Sequence, residues 1–424
     1  MSIFRTLLHY LRQFESVQIL IQAYRHTQNT NVNFKWHIYP YLYRIIKALT
    51  VPAHNKVCQN ARVLLKQGVP LGNFYLAQSL LLQNRLDDAE HHIKCFLEDE
   101  PHHADGIYIL AQIRVRKNQK EEAFDLLKQF LRYSKRGKTW QHLSNLVESQ
   151  TDFESFHDLF TQYYPQYNNY PLAYDLSCHL ANAATRAQNT NFVLDFWRTQ
   201  YCLLRQTSPK QIANPPASRR YSDIKAEKAL SDLKHCLDQN NTEFFLISGT
   251  LLGCVREGKL LGHDKDIDVG VWEINSVQSL AEAIYNSGCF EVLPIYSPHI
   301  LVIRHANGIT IDIFIHYREV DDYWHAGGKS KWHNSPFILT LRPFLNEEYL
   351  IPADYDKYLT ENYGDWRTPK RSFDSALDTP NMTIVSQDDF LIYLYKKITF
   401  ALHSGKKPSE RYLKVLQKYG EHLD

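Results

Sequence analysis

The chain has 424 residues, 44% of them hydrophobic and 22% charged, with 48 Lys and Arg against 46 Asp and Glu. Such a composition fits a globular protein of two to three domains at roughly 100–200 residues each, and it excludes disorder over most of the length, collagen and a coiled-coil rod. A net charge of only +2 argues against a partner held by phosphate neutralisation, so no nucleic acid is expected. No apolar run approaches the roughly 20 residues of a membrane span. The start, MSIFRTLLHYLRQFES, carries Arg5, Arg12 and Glu15 with no small-residue cleavage site and makes a poor signal peptide. Seven scattered cysteines without a C-x-x-C pair read as reduced thiols in a cytosolic protein. The expected location is the cytoplasm, or the inner face of a membrane as a peripheral protein.

Between residues 74 and 131 the chain repeats at an offset of 34: Phe74 with Tyr108, Leu76 with Leu110, Ala77 with Ala111, Asn84 with Asn118, Ala89 with Ala123, Phe96 with Phe130, Leu97 with Leu131. Small residues let paired helices approach, and the aromatics and leucines fill between them. Asn84 and Asn118 fall at the turn within each pair, and Pro101 stops the helix before it. The pattern resembles two tetratricopeptide units, near 70–103 and 104–137. Helical spacing continues on both sides, in Tyr41, Ile45, Ile46 and Leu49, in Trp140, Leu143 and Leu146, and in Phe153, Phe156, Leu159 and Phe160. It recurs in Leu180 and Ala184 and in Phe192, Leu194 and Trp197. The expectation is an all-α TPR-like solenoid over 1–205, capped by its degenerate outer repeats. Its groove would hold either a partner enzyme of the same pathway or a long glycan acceptor.

Residues 206–220, QTSPKQIANPPASRR, hold three prolines and no apolar periodicity, which marks a linker. Beyond it the pattern turns mixed. Residues 224–238 read as a helix, FFLI at 244–247 as a buried strand, and 276–286 as a further helix. DIDVGVW at 266–272 and GITIDIFIHY at 308–317 alternate with period 2, as strands do. The domain expected over 221–424 is therefore α+β with a mixed sheet.

Three features of that domain carry chemistry. SGTLLGCVREG at 248–258 follows a strand and opens a helix, so its N–H groups and hydroxyls suit a phosphate, although a plain strand-to-helix connection looks the same. Asp264, Asp266 and Asp268 alternate along a strand and share one face, with Ile267, Val269 and Val271 on the other. Carboxylates side by side repel unless a cation sits among them, and hard oxygen ligands suit Mg²⁺ or Mn²⁺. In TIDIFIHY, Asp312 lies opposite Ile311, Ile313 and Ile315. A lone carboxylate there is costly unless paired or liganded, so either a metal ligand or a satisfied edge residue fits.

Strand, Gly-Thr, helix, strand with Asp-x-Asp, later strand with another Asp: this order is that of the nucleotidyltransferase fold. FFLISGTLLGCVREGKLLGHDKDIDVGVW resembles the core motif of the LicD/fukutin family, IDIF at 311–314 its second acidic strand, and YLTENYGDWRTPKRSFDSALDTPN at 358–381 its C-terminal signature. Lys265 between the first two aspartates is nearer the fukutin branch than the bacterial phosphocholine transferases, which carry Asp there and Trp in place of His263. The resemblance implies a metal-dependent phosphotransferase that moves a phospho-alcohol from a CDP-activated donor to a glycan hydroxyl and releases CMP. Phospho-alditols (ribitol- or glycerol-phosphate) are the expected cargo, in the making of a surface polysaccharide, with phosphocholine as the alternative. An ordinary adenylylating nucleotidyltransferase, or a TPR scaffold with an inactive transferase domain, fits the intact aspartates and C-terminal signature less well. By the same resemblance Asp266, Asp268 and Asp312 hold the metal, with Asp264 beside them, and Gly249 and Thr250 lie against the donor phosphates. Arg256, Arg367, Lys370 and Arg371 either help bind the diphosphate or are solvated surface bases. Tyr363 and Trp366 either stack on the base or pack the motif. His263, His299, His316, His325 and His333 show no metal-ligand spacing.

Overall fold

The computed structural model describes residues 15–28, 30, 36–207, 223–262, 266–370 and 372–423. The expected linker lies outside the described residues from 208 onward, as do His263, Asp264, Lys265 and Arg371. Two compact units form. One takes the chain to Lys135 with 282–292 and 304–309; the other takes 136–281, 293–303 and 310–424.

In the first unit the expected helical character holds. Its helices are α1 (Glu15–Gln28), α2 (Tyr39–Thr50), α3 (His54–Lys66), α4 (Leu71–Leu82), α5 (Leu86–Asp99), α6 (Ala104–Arg116) and α7 (Lys120–Phe130). The turns α4–α5 and α6–α7 are copies of one another. Asn84 and Asn118 both sit at φ 59°, a left-handed conformation that asparagine tolerates. Around them Asn84 N–H donates to Leu81 O and Arg85 N–H to Leu80 O, just as Asn118 N–H donates to Val115 O and Gln119 N–H to Arg114 O. The aligned side chains are buried alike: Phe74 and Tyr108 at 2%, Leu76 and Leu110 at 6%, Ala89 and Ala123 at 0%. The returning segment 282–292 is fixed to this unit by His54, whose Nε2 meets Gly288 O at 2.8 Å, and by Arg116, which lies 3.9 Å from the centre of the Tyr285 ring.

The second unit combines helices with a mixed sheet. Four helices come first: α8 (Gly137–Ser144), α9 (Gln150–Tyr163), α10 (Tyr174–Arg186) and α11 (Thr190–Gln206). The turn between α10 and α11 repeats the left-handed device, with Gln188 at φ 57°. After α12 (Asp223–Gln239) the chain order is β1 (Phe244–Leu246), α13 (Ser248–Arg256), β2 (Asp266–Trp272), α14 (Val277–Tyr285), β3 (Phe290–Val292), β4 (Ile300–His305) and β5 (Thr310–Arg318), of which β3 and the ends of α14 and β4 belong to the first unit. Then come β6 (Tyr323–Ala326), β7 (Ser330–Asn334), β8 (Leu339–Phe344), β9 (Glu347–Pro352), α15 (Tyr355–Tyr363), β10 (Met382–Ile384), α16 (Gln387–His403) and α17 (Glu410–Lys418). The sheet runs β10-β7-β6-β5-β2-β1-β9-β8, with β4 beside β5. β2 is parallel to β5 and antiparallel to β1, so the sheet is mixed, as expected.

One face of the central strands is the core. Ile267, Val269, Val271, Ile311 and Ile313 are fully buried and Ile315 nearly so. On the other face Gly270 is required by contact: a Cβ there would stand 2.6 Å from the Phe245 ring and 2.8 Å from His316 Cε1. Within this unit α11 packs on α16. Tyr201 and Tyr395 meet edge to face at 5.8 Å, and Glu421 accepts from both Arg198 and the Tyr395 hydroxyl.

Candidate active site

Parallel pairing of β2 with β5 places Asp266 opposite Thr310, Asp268 opposite Asp312 and Gly270 opposite Phe314. Paired residues point to the same face and strands lie about 4.8 Å apart, so Asp266, Asp268 and Asp312, all half-buried, share the face away from the isoleucines. Asp264 would precede them on the chain but lies outside the described residues.

The electrostatics follow from that placement. Burial, and then the charge of Asp266, push the Asp312 carboxyl up to about 7. A carboxylate held in such a place without a cation is disfavoured, and the donor set consists of hard oxygens only. Both observations fit a hard divalent cation such as Mg²⁺ or Mn²⁺.

The Gly-Thr turn supports the cluster from below. Ile247 N–H donates to Asp268 O at 3.4 Å, and Asp268 N–H donates to Thr250 Oγ1 at 2.8 Å. Thr250 is 1% exposed, so its hydroxyl is bound to the strand it positions. Ser248 opens α13 at φ 48°, a left-handed conformation unusual for serine, which turns the chain sharply from β1 into the helix. Half-buried Gly249 follows it in that turn.

The C-terminal motif closes on α13. Arg256 Nη1 donates to Trp366 O at 3.2 Å, and Nη2 donates to Glu257 Oε1 at 3.1 Å. Trp366 is 6% exposed, and its indole N–H donates to Asp356 Oδ1 at 3.0 Å. Exposed Arg367 pairs with the same oxygen at 2.5 Å and lies 4.5 Å from the centre of the Trp366 ring. Exposed Lys370 donates to Tyr363 O at 3.4 Å, and the Tyr363 ring packs on Phe373. The structure thus joins Arg256, Trp366 and Arg367 in one small network, with Lys370 alongside on the surface.

Two further features join the acidic face. Tyr358 on α15 is 3% exposed, and its hydroxyl has no hydrogen-bond partner among the described residues. Burial, and then the charges of Asp268 and Glu361, hold this phenol far above its ordinary range. Tyr358 is the first residue of the C-terminal signature, so the signal was present. His316 lies four residues beyond Asp312 on the same face of β5, where the period-2 pattern already placed it. It stacks on His325 at 4.3 Å, and both rings are buried. Burial pushes His316 down to about 4 and His325 well below the usual histidine range, so both are neutral at pH 7.

Residues 241–354 match the family described as LicD/FKTN/FKRP, nucleotidyltransferase domain. That stretch contains Thr250, Asp266, Asp268 and Asp312; the signature at 358–381 lies beyond it. The ribitol-5-phosphate transferase FKTN of Homo sapiens is 24% identical over 185 residues, covering 40% of this chain and 40% of that protein. The Mus musculus protein of the same name is 26% identical, over 40% of this chain and 39% of its own length. An uncharacterized protein of Rickettsia typhi is 29% identical over 162 residues, 35% of this chain and 50% of that protein. The chain thus spans about two fifths of the length of the transferases it matches. The chain carries, at residues 241–354, a domain of the LicD/FKTN/FKRP family.

Proposed function

We propose that the chain is a metal-dependent glycan phosphotransferase, moving ribitol- or glycerol-phosphate from a CDP-activated donor to a sugar hydroxyl and releasing CMP. The observation that carries this reading is the register of β2 and β5, which pairs Asp268 with Asp312 on one face. The family match and the likeness to proteins named ribitol-5-phosphate transferases support the same class of reaction.

Asp266, Asp268 and Asp312 would hold Mg²⁺ or Mn²⁺, whose role is to neutralise charge on the donor diphosphate. Thr250 fixes the Asp268 backbone and so the direction of its carboxylate. Gly249, in the turn, lets a phosphate approach the backbone. Asp264 is assigned beside the cluster. Arg256 holds the C-terminal motif against α13, and Arg367 and Lys370 supply positive charge at the surface for the donor. Buried Trp366 supports that loop through Asp356. The Tyr358 hydroxyl, beside Asp268, supplies a neutral donor to the acidic cluster's substrate.

In this reading the helical region is a TPR-like solenoid, and its groove recruits the acceptor glycan or a partner enzyme. A boundary at 206–220 separates it from the transferase domain. Among the described residues no helix is long and apolar enough to cross a membrane. The test is a donor screen: CDP-ribitol, CDP-glycerol and CDP-choline are offered with Mg²⁺, and CMP is quantified. Release from an alditol donor supports the reading. Release from CDP-choline alone changes the cargo, and release from none contradicts the reading.

A further inference from the structure

A second polar cavity lies away from the carboxylate cluster. It has a volume of about 360 Å³ and is walled by Ser372, Asp374, Ser375, Tyr393, Lys397 and Tyr412, with Phe373 at its edge. None of Asp266, Asp268 or Asp312 lines it. Its elements are the second half of the C-terminal signature, α16 and α17. Lys329, in the β6–β7 turn and not itself a lining residue, places Nζ 4.4 Å from the centre of the Tyr393 ring, while Lys397 Nζ lies 5.1 Å from it.

The lining holds one carboxylate and one ammonium, Asp374 and Lys397, and Lys329 beside it brings a second ammonium. Asp374 is its one lining carboxylate and is already hydrogen-bonded: the Tyr393 hydroxyl lies 2.8 and 2.7 Å from its two oxygens, the Tyr412 hydroxyl donates at 2.8 Å, and the Ala376 N–H at 2.9 Å. Asp378, next along the loop, is bound by Arg411. Neither Lys329 nor Lys397 has an ion-pair partner among the described residues. Lys329 is half-buried. Burial, with the nearby charges of Lys397 and Lys396, holds its ammonium below the usual lysine range, against the opposing charges of Asp374 and Asp389. Two ammonium groups near one ring, with two lining serine hydroxyls, offer more donors than the already hydrogen-bonded Asp374 can accept.

We propose that this cavity is a second anion site that takes a phosphate group, with Lys329 and Lys397 as its cations and Ser372 and Ser375 as hydroxyl donors. A phosphate monoester or diester presents several acceptor oxygens around one charge centre, which suits two point-charge ammoniums and two hydroxyls. A single carboxylate would leave half of those donors unmatched. The same chemistry is offered by free phosphate and by the phosphodiester of an alditol-phosphate chain.

Isothermal titration calorimetry on the full chain tests this, in EDTA so that no divalent ion bridges the phosphate, with chloride matching the ionic strength. The probes are inorganic phosphate and a short glycerol-phosphate oligomer. Saturable one-site binding of either probe is expected, weakened about tenfold or more by Lys329→Gln and by Lys397→Gln. Lys329→Arg and Asp312→Asn should leave it in place. Tighter binding of the oligomer assigns the site to a polymer, and tighter binding of phosphate assigns it to the free ion. Melting temperatures on the same preparations confirm folding, and Lys397, exposed on α16, decides if Lys329→Gln fails to fold. The proposal is overturned by absence of saturable binding, by binding that both glutamine variants keep, or by binding that Asp312→Asn abolishes.

Discussion

Replacing Asp312 by asparagine keeps its shape and removes a charge that burial disfavours. The folded carboxyl sits at about 7, above its ordinary value of 3.8. A raised carboxyl stabilises the fold fully below the unfolded value, and that contribution is lost as pH rises through the folded one. In EDTA the wild-type melting temperature should therefore fall between about pH 4 and pH 7, and Asp312→Asn should flatten this fall. An equal fall in both proteins would place the charge penalty elsewhere. Tyr358→Phe removes a buried hydroxyl that has no partner, so stability should hold or rise slightly, while turnover drops about tenfold or more. Normal turnover would make Tyr358 a packing residue. The three described aspartates were legible in the sequence because period 2 sorts acid from isoleucine without knowing the fold. Tyr358 was legible only as the first residue of the C-terminal signature; its place near Asp268 depends on long-range packing that no local pattern encodes.

Strands that combine period 2 with β-branched residues, β2 and β5, were readable almost to their ends. The run from β6 to β9 was not. SKWHN in β7 and EEYLIP in β9 mix Lys, Glu, His and Asn with aromatics, and their pairing comes from neighbours distant in the chain. Gly270 belongs to this scale as well, since a glycine inside a strand makes sense only once Phe245 and His316 are seen to meet over it. Gly270→Ala should destabilise the protein by about 1–3 kcal/mol through overpacking, read as a lower denaturant midpoint with an unchanged slope. An unchanged midpoint would mean that the rings move aside freely. At α4–α5 and α6–α7 the repeat was visible because Asn84 and Asn118 mark the same left-handed turn, whereas Gln188 performs it without a recognisable residue type.

At the scale of the molecule, the helices from 136 to 206 and the sheet share one compact unit. Leu394, Tyr395 and Ile398 of α16 are buried, and α11 packs on that helix. A fragment of 221–424 should then melt at lower temperature than one of 136–424, and bind an apolar dye more strongly. Equal melting of the two would show that α11 contributes little. Composition shifts find proline-rich stretches but are blind to helices that pack across them. The most direct test of the central claim is CMP release from the donor that the screen identifies, measured in Mg²⁺ and in EDTA for the wild type, Asp268→Asn and Asp312→Asn. The shared carboxylate face predicts loss of at least about 100-fold in each variant and in EDTA, with all three proteins folded. Near-wild-type release by Asp312→Asn, or release that EDTA leaves intact, would contradict it.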